Sequence, residues 1–388
     1  MTRSIDDAWT DYATRVLAAG ESITDARYPQ DKRLRAEGYR YINRLAHLAQ
    51  LIYVEFGDVT RPTLFRFGDD VTPYGATNTD NNYYRAAVEP AGVYRIVGDV
   101  SGVKELLISV HEGEMALGRP AVLAEASLGD LDVGSDGLLE IFLGGSQREH
   151  NWLPLDERAV HVTVREFVAD WETDALAVLH IERIDAVEET RRLTTASLVD
   201  DLDKAATYVE ANIRYWNEYS DNLRLVTTPN TISAPRRPEG GAENMLHGGA
   251  IWELRSGEGL LIEFDEPVAT YWSIQTYMLD WMQPLDFTNH TTSLNDAQIR
   301  VDWDGKVRLV LTDVDPGIQN WLDTTGLPRG LVTYRYVRPR SSPAPTSKVV
   351  RLDELGKHLL SSTPNWTNAE RPAQIAARRR GVNRRFHR

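Results

Sequence analysis

One module is written twice in this chain, and that repeat limits the architecture more than any other feature. Asp136-Gly137 opens an apolar run, Leu138–Leu143; Asn151-Trp152-Leu153 follows, and then the alternating stretch Ala159–Val168. Asp304-Gly305 opens a second such run, Lys306–Leu311; Asn320-Trp321-Leu322 follows, and then Gly330–Val337. Matching residues stand 168 apart at Asp136/Asp304, 169 at Asn151/Asn320 and 170 at Arg165/Arg335. The order and type of residues recur with a drift of one residue per loop. Residues common to both copies are read as structural, and residues peculiar to one copy as the better functional candidates.

The local patterns give each copy the same plan. Residues 5–21 carry Trp9, Tyr12, Val16 and Leu17 at helical spacing. A stronger helix covers 31–57, with Tyr41, Leu45, Leu48 and Ile52 on one face and an entry after Pro29 at Asp31. Between 62 and 185 the period falls to two. Val160, Val162 and Val164 alternate with His161, Thr163 and Arg165, the signature of a half-buried strand. Further strands are expected at 92–98, 106–110, 137–143 and 175–184. A second helix, 196–223, starts at a candidate N-cap, Ser197, with Asp200 and Asp201 in its first turn. After a polar linker, Thr227 to Gly241 with Pro229, Pro235 and Pro238, strands return at 260–264, 271–279, 306–312 and 330–338. The expected fold is mainly β with helices (α+β): two tandem antiparallel sandwich or jelly-roll-like modules, each preceded by a helix. The divisions are an N-terminal helical segment (1–57), a first sandwich (62–185), a connecting helix (196–223), a second sandwich (240–340), and a linker with a basic tail (341–388).

Charge and composition exclude several functions. Net charge is −14, yet residues 371–388 hold seven arginines and no acid, so the other 370 residues carry −21. Such a body repels nucleic acid. The tail is read either as a frayed terminus or as a contact for a sister subunit, giving a homo-oligomer. No apolar run reaches the roughly eighteen residues of a membrane span, and the N-terminus reads directly into a helix, so a cytoplasmic protein is expected. With no cysteine, thiol nucleophiles and thiolate metal sites are ruled out. Phosphate loops, nucleophile elbows, His-Glu-x-x-His and dinucleotide fingerprints are absent. Neither a cofactor nor a metal is called for, although Asp302 and Asp304, more simply read as a hairpin turn, are conceivable oxygen ligands.

Two unrepeated polar-aromatic segments are the site candidates. The first is Asn78-Thr79-Asp80-Asn81-Asn82-Tyr83-Tyr84. The second contains Asp280, Trp281, Asp286, Asn289 and His290. Asp80 and Asp286 are the acid–base pair of this reading, with His290 as alternative base and Asp323 as alternative acid. Asn78, Asn81, Tyr83, Tyr84, Trp281 and Asn289 would bind substrate where the segments meet, at a seam between the copies. Each segment also reads as a polar turn. His150 is a loop histidine with a weaker claim. The shared Asn-Trp pairs are read as structural, the asparagine bonding its own turn and the tryptophan buried. Arg165 and Arg335, also shared, are expected to pair with neighbouring acids.

The motifs Tyr271-Trp272-Ser273-Ile274-Gln275, Asn289 through Thr291-Thr292-Ser293-Leu294, Asp304-Gly305, Asp315-Pro316-Gly317 and Asn320-Trp321-Leu322-Asp323-Thr324 resemble a bacterial domain family of unknown function, DUF1214, over about 268–338. The stretch from Asn78 to Gly98 resembles the region that often precedes this domain. The resemblance implies a β-sandwich with helices and names no activity. The expected function is a cofactor-independent hydrolase or lyase using carboxylate and histidine acid–base chemistry on a small polar or glycosidic substrate. The alternatives are a non-catalytic carbohydrate- or small-molecule-binding protein, or an assembly protein.

Overall fold

A computed structural model of the chain describes residues 3–25, 31–185, 193–237, 244–366 and 369–387. Pro29, Pro238, Gly240, Gly241 and Arg388, all used in the reading above, lie outside the described residues. The chain divides into two units. The first comprises Met1–Tyr74, Asn81–Phe167 and Ala175–Glu218; the second comprises Gly75–Asp80, Val168–Asp174 and Tyr219–Arg388.

The first unit opens with α1 (Ile5–Ala19), α2 (Glu21–Thr24) and α3 (Lys32–Ala49), which runs on as a π-helical stretch, Gln50–Glu55. Asp31 caps α3 by accepting from the backbone of Arg33 (2.8 Å) and Leu34 (3.0 Å), relieving two of its unpaired amides. Leu34, Tyr41, Ile42, Leu45 and Leu48 form its buried stripe. On α1 only Ala8 and Tyr12 are buried; Trp9 and Leu17 stand in solvent, against their helical spacing. Strands β1 (Phe65–Phe67), β2 (Asn81–Ala87), β3 (Tyr94–Asp99), β4 (Glu105–His111), β5 (Val122–Ser127), β6 (Leu138–Leu143), β7 (Trp152–Leu153), β8 (His161–Phe167) and β9 (Val178–Arg183) form two sheets. Their orders are β1-β2-β8-β4-β5 and β7-β6-β3-β9. Ala86, Leu106, Ile108, Val110, Val162 and Val164 of one sheet pack with Tyr94, Ile96, Leu139, Ile141, Leu143 and Ile181 of the other. That interleaving is a sandwich core.

Helix α4 (Thr195–Val226) runs from the first unit into the sequence of the second. Its entry differs from expectation by a few residues. Thr194 is the cap: its Oγ1 accepts from Ser197 N at 3.1 Å while Ser197 Oγ accepts from Thr194 N at 3.0 Å. Asp200 and Asp201 therefore fall beyond the first turn.

The second unit holds β10 (Met245–Glu253), β11 (Glu258–Asp265), β12 (Tyr271–Met278), β13 (Gln283–Pro284), β14 (Ser293–Asn295), β15 (Lys306–Thr312), β16 (Trp321–Asp323), β17 (Arg329–Val337), β18 (Thr346–Arg351) and α5 (Glu370–Phe386). One sheet runs β10-β17-β12-β13, with β14 also on β12; the other runs β16-β15-β11-β18. Strand β18 lies in the stretch read as linker, and pairs with β11. No helix among the described residues is long and apolar enough to cross a membrane.

The two modules share strand order. β7-β6-β3-β9 corresponds to β16-β15-β11-β18, and β2-β8-β4 to β10-β17-β12. Both β6–β7 and β15–β16 are parallel pairs, in matching register at Leu143↔Leu153 and Leu311↔Leu322. Both Asp-Gly turns place glycine in the left-handed region, at φ 81° for Gly137 and 79° for Gly305. The asparagine side chains bond the backbone of other segments, and not that of their own turns, which the sequence reading expects. Asn151 clamps the backbone of Asp132 and Glu140, and Asn320 clamps that of Arg300 and Arg308 in the same way. Each tryptophan indole donates to a strand-end carbonyl, Trp152 to Gly144 (2.9 Å) and Trp321 to Thr312 (3.0 Å). Trp321 is buried, but Trp152 is only half-buried. Trp321→Ala should therefore destabilise the protein by about 3–5 kcal/mol in urea unfolding, and Trp152→Ala by clearly less. Equal losses at both positions would show that the rings are not differently buried.

Candidate functional site

Asp80 sits at the centre of a buried hydrogen-bond network in the second unit. It has no exposed surface. Trp171 Nε1 (2.7 Å) and Asn295 Nδ2 (3.0 Å) donate to Oδ1, while Tyr271 Oη (2.6 Å) and Gln275 Nε2 (3.2 Å) donate to Oδ2. Four donors occupy the roughly four acceptor positions of a carboxylate. Asn78 extends the network, its Nδ2 3.0 Å from Tyr271 Oη and its Oδ1 taking Gln275 Nε2 and Asp80 N. Burial pushes the Asp80 carboxyl upward, against the opposing pull of Tyr271, Arg385, Trp171 and Arg378. With every acceptor position engaged and no path to solvent, Asp80 is an anchor and not the acid or base expected from its sequence.

Helix α5 closes this network and corrects the reading of the tail as frayed. Arg385 donates to Thr79 O (2.9 Å), and Arg378 to Phe287 O (2.8 Å) and to Ser293 O (2.9 Å) and Oγ (2.7 Å). Both guanidinium groups lie over the Trp171 ring, at 4.9 and 4.5 Å from its centre. Gly381 permits the approach, since a Cβ there would come within 2.5 Å of Trp171 Cβ. Arg371 is buried against Asp315 and Ile318 O. Arg379 and Arg380, the more exposed pair, bond Asn289 and Glu172. Burial lowers the Arg378 guanidinium to about 10; Asp80 and Asp286 both oppose that shift, so the two candidate carboxylates bear on one arginine.

The other candidates scatter. Asp286 is exposed and accepts from Thr288 N, Asn289 N and Asn289 Nδ2, an Asx turn. Trp281 is buried at 1% exposure. Asp280 is committed to Arg224 (2.5 Å) and Arg329 (3.0 Å). His290 is held through Nδ1 by buried Asp323 at 2.8 Å. Asn81, Tyr83 and Tyr84 belong to the first unit, so the Asn78–Tyr84 segment is divided between the units. Asn81 is buried, while Tyr83 and Tyr84, half-buried, point to opposite faces of β2. His150 is exposed beside Asp132. Asp302 and Asp304 hold Arg308 at 2.7 and 2.8 Å. Among the described residues, no group of three or more acidic or histidine side chains could hold a metal ion.

A denser constellation lies on the first unit, on the sheet face opposite its core. Because β8 sends Val162 and Val164 into the sandwich, His161, Thr163 and Arg165 share the other face. Register sets Arg85 beside Thr163, Tyr83 beside Arg165 and His111 beside His161. This face is not bathed in solvent. Tyr53 of the π-helical stretch, Tyr208 of α4, and Tyr74 bear on it, with the Tyr53 and Tyr208 rings 5.9 Å apart. Arg85 forms a buried ion pair with Glu114. Burial would lower this guanidinium, but Glu114, Tyr53, Tyr74 and Tyr208 raise it overall. Burial raises the phenols, Tyr53 to about 12 and Tyr41, Tyr74 and Tyr208 further. The imidazoles of His111 and His161 stack at 4.7 Å. Burial, then Arg165 and Arg85, lowers His111 to about 3; burial, Arg85 and His111 lower His161 well below its ordinary value. Tyr41 Oη and His161 Nδ1 are buried with no hydrogen-bond partner among the described residues. The strand alternation in the sequence marks this face; only the assumption that it meets water hides it.

Residues 244–341 match the model of DUF1214, described as a protein of unknown function. A crystal structure of an uncharacterized protein from Burkholderia cenocepacia is similar, with TM-score 0.83 and 29% identity, over 89% of this chain and 97% of that one. A structure of the VPA0106 protein from Vibrio parahaemolyticus aligns at TM-score 0.43 and 12% identity, over 86% and 100% of the two chains. No curated protein matches.

Asp80→Ala should cost about 3–5 kcal/mol in urea unfolding, because it strands the Trp171, Tyr271 and Asn295 donors beside buried arginines; a loss below about 1 kcal/mol would refute the anchoring role. The histidine pair sets a pH dependence. His111 and His161 stay neutral in the folded protein, while the unfolded chain protonates them below about pH 6.5. Each therefore withdraws about 1.4 kcal/mol of stability per pH unit as pH falls from about 6.5 towards 3. Urea midpoints measured between pH 8 and 4.5 should show this slope, and His111→Gln should flatten it; an unchanged slope would mean that His111 titrates alike in both states.

Proposed function

We propose that the protein is an enzyme of hydrolase or lyase type, acting on a small polar substrate by acid–base chemistry at the tyrosine, arginine, glutamate and histidine face of the first unit. The observation that carries this reading is the gathering of shifted ionisable groups about Arg85, with two buried polar atoms left unpartnered among the described residues, Tyr41 Oη near Tyr74 and His161 Nδ1 near Arg85. Buried polar atoms are normally satisfied, and each lost bond costs about 1–3 kcal/mol. A ligand group that partners either atom recovers that cost. Shifted groups gathered in one place are a functional signature.

The roles follow from charge state. Tyrosines with raised values keep their protons and donate to a developing oxyanion. Arg85 adds fixed positive charge beside them. Glu114, paired with Arg85 and partly exposed, is the carboxylate placed to take a proton. His111 and His161, neutral at physiological pH, accept without repelling the two arginines. Removing the proton acceptor from such a site costs about 10²–10⁴-fold in rate. A screen of small polar esters, amides, glycosides and hydroxy acids should yield a substrate whose kcat falls by about that factor in Glu114→Gln, with the fold retained by circular dichroism. Turnover indifferent to Glu114→Gln would refute the assignment.

His290 supports a second reading. A buried carboxylate, Asp323, fixes its Nδ1 side while the ring stays 42% exposed, an arrangement able to present Nε2 as a general base. His290→Gln in the same screen separates the two sites.

A further inference from the structure

We infer that the polar face of the first unit takes a ligand bearing a single carboxylate, with Arg165 as its counter-ion. This rests on the reading of that face as the substrate site and names the group by which the substrate is held. Arg165 is half-buried on β8, yet it makes no hydrogen bond or ion pair among the described residues. Its cross-strand neighbours are Tyr83 and Leu107, and its charge disfavours the protonated form of His111. One row along, Arg85 is matched by Glu114. Arg165 itself thus has no carboxylate within ion-pair distance among the described residues. A half-buried guanidinium gains most from a planar, bidentate oxyanion.

The second unit strengthens the inference by contrast. Arg335, the counterpart of Arg165, is committed to Tyr277 Oη (2.8 Å), Thr333 Oγ1 (3.2 Å) and Ala76 O (2.7 Å). The corresponding face there is occupied by a carboxylate of its own chain, Asp80, resting on Tyr271 and Gln275 of β12 and on Asn295 of β14. In the first unit the carboxylate on that face is Glu114, which pairs with Arg85 and leaves Arg165 without an ion pair among the described residues. The charge count favours a carboxylate over a phosphate ester. With two arginines, Arg85 and Arg165, and two carboxylates, Glu114 and Glu125, on the face, a singly charged group disturbs the balance less than a phosphate, which brings about −1.5 to −2. Glu114, and Glu125 bonded to Ser109 on the neighbouring strand, already supply negative charge nearby.

The experiment is calorimetric titration of the full chain with short aliphatic and aromatic monocarboxylates, with their primary amides, and with inorganic phosphate. At least one acid should bind at least tenfold more tightly than its amide and than phosphate. Arg165→Gln should weaken that acid roughly 10- to 100-fold, the worth of a charge-assisted hydrogen bond. Since Arg165 has no partner to lose, the ligand-free variant should melt within a few degrees of the parent. If it does not fold, Arg165→Lys, which keeps the charge without the fork, must bind less tightly than the parent. Amides binding as well as acids, phosphate binding best, unchanged affinity in both variants, or no binding across the panel would each overturn the inference. Turnover that depends on Glu114 without preference for acids would sink this inference alone. Carboxylate binding lost in Arg165→Gln, with no turnover of any compound, would uphold it and sink the enzymatic reading.

Discussion

Everything distinctive in this protein follows from covering the second face of a half-buried sheet. In each module the central strand, β8 or β17, turns one row of side chains into the sandwich core and the alternate row outward. Open to water, the outward row would need nothing further. Covered, each of its polar groups must find a partner or cost free energy. In the second unit the cover brings Asp80, and each oxygen of that carboxylate is answered by two donors. In the first the cover is mostly tyrosines from helical segments, and the answer is incomplete: Tyr41 Oη and His161 Nδ1 are buried without a partner, and Arg165 forms no ion pair, among the described residues. The same constraint thus produces a buried carboxylate anchor in one module and a face with unpartnered polar atoms in the other.

How much of this was legible in the sequence depends on the range of the interaction. The duplication, most strand positions and the long helices follow from local periodicity and spacing, and those determine the fold class. The Asn-Trp pairs were identified as structural, but their mechanism was not, because the clamp reaches Asp132 from Asn151 and Arg300 from Asn320 across separate segments. Strand β10 escaped because Gly248-Gly249 reads as a breaker; in the sheet, Gly249 instead accommodates the Val332 carbonyl, which a Cβ would approach to 2.3 Å. The tail misled for an electrostatic reason. Seven arginines resemble a solvated run, yet Arg371, Arg378 and Arg385 recur every seven residues, bringing them to one side of α5. There aromatic faces and backbone carbonyls take the place of water.

The contacts of the second candidate segment escape the sequence for a related reason. Proximity in sequence gathers Asp280, Asp286 and His290, but in the structure each answers a separate need: Arg224 and Arg329, a turn backbone, and Asp323. The cluster on the first unit instead draws Tyr53, Tyr74, Arg85, Glu114, His161 and Tyr208 from six elements and loops, and sequence distance conceals it. Only the His161-Thr163-Arg165 alternation survives as a local trace of it.

Arg165 and Arg335 show where sorting by repetition fails. Shared residues were taken as structural, and for the asparagines, the tryptophans and the turn glycines that holds, because each satisfies backbone its own module always presents. An arginine has five donors and no backbone duty. Its role is set by what the opposite side of the covered face supplies, and that side comes from unrepeated sequence: Ala76 above β17, tyrosines and Glu114 above β8. Residue identity is inherited with the module, whereas satisfaction of its polar groups is decided by the cover. In a duplicated sandwich, then, function is best sought at a shared polar residue that is satisfied in one copy and left without a partner in the other.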